Sequence, residues 1–76
     1  MDLQTYLRDH LARADREEFA ERCGTAWGHL RNVAYGSRPC TALLAIEIDR
    51  ETGGKVTAEE LCPDADWPHI RKRKRA

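Results

Sequence analysis

The sequence predicts an all-α fold, a compact bundle of about five short helices with a central helix-turn-helix, and three observations lead there. A chain of 76 residues has room for one domain with one modest core. Apolar residues recur at helical spacing in several short segments, whereas β-branched runs are almost absent and helix formers abound. Glycine or proline punctuates most of the intervals between those segments, and Asp or Thr stands where several of them begin.

Leu3, Tyr6, Leu7 and Leu11 follow an i, i+3, i+4, i+8 pattern, which predicts a first amphipathic helix from Asp2 to about Leu11. Asp15 with Glu18 has the form of a capping box that opens a second helix, with Phe19, Ala20 and Cys23 inward and Gly24 at its end. Beyond the turn at Gly24 and Thr25, the i, i+4, i+7 set Ala26, Leu30 and Val33 marks the buried side of a third helix, which Gly36 stops. Its opposite side presents Trp27, Gly28, Arg31, Asn32 and Tyr35, with His29 at the flank. Ser37, Arg38, Pro39 and Cys40 read as a loop. Thr41 caps a fourth helix that carries Leu44, Ala45 and Ile48 inward and ends at Gly53 and Gly54. Lys55 and Val56 form a brief extended link. Thr57 with Glu60 makes another capping box before a turn that holds Leu61 and stops at Pro63. Residues 1–67 are thus expected to be the domain, and residues 68–76 a basic, flexible tail.

The same residues disfavour several function classes. The apolar residues near the N-terminus are interrupted by Asp2, Arg8, Asp9 and His10, unlike a signal peptide, and no run approaches membrane-spanning length. Cys23, Cys40 and Cys62 are an odd number and fit reduced thiols, so a cytoplasmic location is expected. Without CxxC pairing, and with His10, His29 and His69 far apart, a zinc site has little support, and no metal or cofactor is expected. Glu17, Glu18 and Glu21 lie on the exposed side of a short helix, and Glu59 and Glu60 belong to a capping turn. Neither group suggests acid–base catalysis, so an enzyme with a small-molecule substrate is not expected.

Charge is more informative by position than in total. The formal net charge is zero, yet residues 1–24 carry −2, residues 25–41 carry +2, residues 42–68 carry −5 and residues 69–76 carry +5. Such a division suits a protein with one anion-facing side. The α-helical pattern around that side meets the demands of a helix-turn-helix, which needs a small residue where its helices cross and a turn residue tolerant of positive φ. Ala20 and Gly24 supply these, and Leu30 and Val33 hold the second helix down while leaving its N-terminal half free to enter a major groove.

The run Cys23-Gly24-Thr25-Ala26-Trp27-Gly28-His29-Leu30-Arg31-Asn32-Val33-Ala34-Tyr35-Gly36 resembles the YdaS-like branch of Cro/CI-type regulators. So do Arg38 and Thr41, the segment Thr52-Gly53-Gly54-Lys55-Val56-Thr57, and Leu61-Cys62-Pro63-Asp64. The likeness covers about residues 2–67. It implies a lambda-repressor-like domain of five helices, a phage or prophage repressor that binds double-stranded operator DNA, palindromic and bound by a homodimer. Members of that branch have also been linked to toxin–antitoxin modules. Two positions depart from the pattern: Thr25 stands where a small aliphatic residue is usual, and Ala26 where a polar cap is usual, so Thr25 is expected to cap the third helix instead.

Each candidate contact has a plainer alternative. Arg31 and Asn32 are the expected base readers, since arginine pairs bidentately with guanine and asparagine with adenine. Otherwise Arg31 touches only phosphate and Asn32 is solvated. Trp27 either packs on a thymine methyl or sugar or covers the core, and Gly28 lets the backbone come close to DNA. Tyr35, Ser37 and Arg38 are expected to hold phosphates, Ser37 alternatively being a turn residue. The basic run Arg71, Lys72, Arg73, Lys74 and Arg75 either adds non-specific affinity or solubilises the end. The competing function is a protein-interaction module or toxin–antitoxin component on the same fold, with the acidic stretch of residues 42–68 facing a basic partner.

Overall fold

The computed structural model describes residues 1–70, and every regular element among them is helical. Helix α1 spans Leu3–Asp9, and a short 3-10 turn over Arg13–Asp15 leads into α2, Arg16–Arg22. They are followed by α3, Trp27–Ala34, α4, Ala42–Glu51, and α5, Ala58–Leu61. Residues 67–70 add a final helical turn.

Three helices begin where an oxygen-bearing side chain meets an otherwise unpaired backbone N–H. Thr5 N–H donates to the Asp2 carboxylate at 2.7 Å, Leu44 N–H to the Thr41 hydroxyl at 3.2 Å, and Glu60 N–H to the Thr57 hydroxyl at 3.2 Å. The box expected from Asp15 and Glu18 does not form. Asp15 ends the 3-10 turn with φ −97° and ψ 0°, away from the extended conformation a cap needs, and Glu18 pairs with Arg22 at 2.6 Å instead. Thr25 does not cap α3 either, because Ala26 occupies the cap position and no side chain bonds the first turn.

The main core gathers Leu3 and Leu7 from α1, Phe19, Ala20 and Cys23 from α2, Leu30 and Val33 from α3, Leu44 and Ile48 from α4, and Val56. Leu30, Ile48 and Val56 are its largest fully buried side chains, each stabilising the fold by roughly 1.5–3 kcal/mol. Val56, expected only as a link residue, is therefore a structural anchor. The Thr52 hydroxyl holds it there by accepting from Val56 N–H at 3.2 Å, and the Asp49 carboxylate ties the next residues to α4 by accepting from Ala58 N–H at 2.9 Å.

A second cluster joins Ala45, Ala58 and Trp67, with Ile46, Leu61, Cys62 and Ile70 around them. Trp67 is 6 % exposed and its indole N–H donates to the Cys62 carbonyl at 2.7 Å. Packing thus continues beyond residue 67 to Ile70. The basic run of residues 71–75 lies outside the described residues.

What positions the α3 surface is the α2–α3 connection. Gly24 adopts φ +82°, a left-handed conformation that strains other L residues. In that geometry Gly24 N–H donates to the Glu21 carbonyl at 2.9 Å and Thr25 N–H to the Ala20 carbonyl at 3.0 Å, closing α2 and redirecting the chain. Ala20, fully buried, leaves room for α3 to lie against α2.

Candidate nucleic-acid interface

Helix α3 is buried along one side by Leu30 and Val33. At about 100° per residue, Gly28, Arg31, Asn32 and Tyr35 occupy the other side within an arc of roughly 100°. Gly28 and Arg31 are exposed, Tyr35 is 62 % exposed, and Asn32 is half-buried. His29 falls off this side toward α4, where it lines a shallow concavity with Arg22 and Leu43.

Ser37 and Arg38 follow directly and are exposed. Their backbone N–H groups both donate to the Asn32 carbonyl, at 2.9 and 3.3 Å, so the loop folds back on the last turn of α3. Gly36, at φ +83°, permits that reversal.

Trp27 is not wholly on the exposed side. It is half-buried and packs against the main core. The Arg16 guanidinium lies over its ring, 5.0 Å from the centroid, an arrangement worth about 0.5–2 kcal/mol. Trp27 therefore covers part of the core and presents a ring face to a cation. Arg16 did not stand out in the sequence. Its signal was an absence: no carboxylate lies three or four residues away from it, nor from Arg31 or Arg38, so none of the three has a helical ion-pair partner.

The electrostatics of the surface follow from that absence. Residues 25–41 contain no Asp or Glu. Among the described residues Arg16, Arg31 and Arg38 form no ion pair, as is also true of Arg13 and Lys55, whereas Arg8 is tied to Asp9, Arg22 to Glu18, and Arg50 to Glu47 and Glu51. Of these five cations without an ion pair among the described residues, Arg16, Arg31 and Arg38 lie on α3 or beside it. On the α2 side, however, Glu17 and Glu21 share a concavity with Trp27 and Gly28, so the two flanks of α3 differ in charge.

The first turn of α3 has a further polar resource. With Ala26 as its cap, no side-chain oxygen occupies the N–H groups of that turn, which carry the positive end of the helix dipole.

Among the described residues no three His, Cys, Asp or Glu side chains gather as metal ligands. Burial pushes the Cys23 thiol up to about 12 and the Cys40 thiol up to about 11, which favours the protonated thiol over the thiolate near neutral pH. No helix among the described residues is long and apolar enough to cross a membrane.

No protein-family model matches the chain. It is similar to a prophage transcriptional regulatory protein of Escherichia coli (strain K12), 32 % identical over 56 residues that cover 74 % of this chain and 85 % of that protein. At that identity and coverage, and with an all-helical fold, the chain belongs to the family of phage-type transcriptional regulators that this prophage protein represents.

Proposed function

We propose that the chain regulates transcription by binding double-stranded DNA, with α2 and α3 acting as a helix-turn-helix of the Cro/CI type, YdaS-like branch. The observation that carries this reading is the one-sidedness of α3. Leu30 and Val33 fix one side in the core, while the other exposes Gly28, Arg31 and Tyr35 without a neighbouring carboxylate in residues 25–41. Arg31 and Asn32 read base edges in the major groove, and Tyr35, Ser37 and Arg38 fix the register through phosphates. Gly28 lets the helix backbone approach the duplex. Trp27 contributes mainly by supporting this surface from beneath.

The regulator acts in the cytoplasm as a repressor at a phage-type promoter. A homodimer would set two α3 helices about 34 Å apart on a palindromic operator. Leu43, 72 % exposed on α4, is an apolar point beside the His29 flank of α3. The adaptor or toxin–antitoxin reading rests instead on the acidic stretch of residues 42–68, which would face a basic partner.

Titration with a mixed-sequence duplex at low and moderate salt tests the proposal. Wild-type protein is expected to bind at low salt. Combined Arg31→Ala and Arg38→Ala is expected to weaken binding by about 10²-fold and reduce the log–log salt slope by about 0.9, for the one phosphate that Arg38 no longer neutralises. A wild-type protein that ignores duplex at low salt would sink the DNA reading.

A further inference from the structure

A groove of about 220 Å³ runs between α1 and α3, and its polar lining is cationic: Gln4 and Arg8 from α1, Arg16 from the start of α2, and Arg31 and Tyr35 from the α3 side, with Trp27 as its floor. No carboxylate lines it, although Asp9 outside it partly neutralises Arg8. The opposite flank of α3 carries Glu17 and Glu21 beside Trp27 and Gly28. A polyanion laid along α3 is therefore attracted on the α1 side and repelled on the α2 side.

Within this groove Arg16 has an unusual status. Its Nε is shut off from solvent without a hydrogen-bond partner, and the residue forms no ion pair among the described residues. A guanidinium is normally anchored by a carboxylate, which also neutralises it. Here the anchor is an aromatic face, which orients the group and leaves its charge available.

We propose that Arg16, seated on Trp27, is a phosphate-binding residue, and that the α1–α3 groove takes the phosphodiester backbone of one strand while Arg31 reaches the adjoining bases. This rests on the DNA-binding reading above and extends it to a residue on α2 and to a stated side of α3. Trp27 is then a positioning residue, acting through Arg16. Glu17 and Glu21 disfavour the opposite placement of the backbone, so the charge asymmetry sets the direction in which the helix is offered to the duplex.

The experiment measures affinity for a mixed-sequence duplex across a salt series, with folding checked by circular dichroism. Arg16→Gln is expected to weaken binding about tenfold at low salt and to make the log–log slope less negative by about 0.9, the signature of one phosphate left without its cation. Arg16→Leu, which keeps an aliphatic chain over the indole, should behave in the same way and covers the case in which the glutamine variant melts. Arg16→Lys should retain the wild-type slope. Trp27→Ala should weaken binding as Arg16→Gln does, with little further loss when the two are combined, and Trp27→Tyr should restore most of it. If Arg31→Ala weakens binding while folded Arg16→Gln and Arg16→Leu keep the wild-type slope, the groove proposal is overturned and the DNA reading stands. If wild-type protein binds no duplex at low salt, both fall together.

Discussion

The α3 surface and the α4–α5 half of the molecule use the same residue types to opposite ends. On α4, Arg50 is held by Glu47 and Glu51, and helix starts are closed by Thr41 and Thr57. On α3 the arginine has no ion-pair partner among the described residues and the helix start has no side-chain cap. One half satisfies its polar groups internally and contributes stability. The other leaves them open, a local cost that is understandable where an external polyanion completes them.

The largest way to break this contrast is to damage the self-satisfied half. Trp67→Ala removes the centre of the second cluster and its bond to the Cys62 carbonyl, and is expected to cost about 3–5 kcal/mol, measurable as a fall in urea midpoint. Hydrogen exchange should quicken first in α5, with duplex affinity per folded molecule unchanged. A loss of affinity in the folded fraction would show that the two halves are coupled more tightly than their packing indicates.

A smaller change would make the two helix starts alike. Ala26→Asp supplies the absent cap of α3 and is expected to stabilise the protein by about 1 kcal/mol while weakening duplex binding several-fold, because the new carboxylate occupies the N–H groups and repels phosphate. Thermal melting and duplex titration would then move in opposite directions. Stabilisation without weaker binding would mean that this turn does not face DNA.

Gly28→Ala is expected to have the smallest effect on stability. A Cβ at Gly28 meets nothing within 4 Å, so the helix should gain up to about 1 kcal/mol in melting experiments. Nothing in the folded chain therefore requires glycine. If the backbone approaches DNA at this point, the methyl group lowers affinity despite the added stability; unchanged affinity would remove Gly28 from the interface.

Legibility from sequence follows how local each feature is. The caps at Thr41 and Thr57, the glycine stops at Gly24 and Gly36, and the inward residues of α3 and α4 depend on a few consecutive positions and are readable. The expected box at Asp15 and Glu18 has the right residues, but the preceding 3-10 turn sets the wrong backbone angles for it. Val56 reads as a link residue, and no local pattern marks Trp67 as core, because neighbours distant in sequence bury them. The exposed side of α3 is legible as a periodicity. The partial burial of Trp27 and the placement of Arg16 are not, since both depend on how α2 meets α3 in space.

The Asn32 carbonyl, which receives N–H groups from both Ser37 and Arg38, has a consequence for binding entropy. A loop that moved freely would have to be ordered at each encounter, at a cost of about 1–2 kcal/mol for each residue whose backbone is fixed. On the proposed DNA-binding reading, tethering residues 37 and 38 to the last turn of α3 lets loop and helix meet a duplex as one preorganised body. Much of that backbone ordering is then complete when the chain folds, and the backbone position of residue 38 relative to Arg31 is set by the helix.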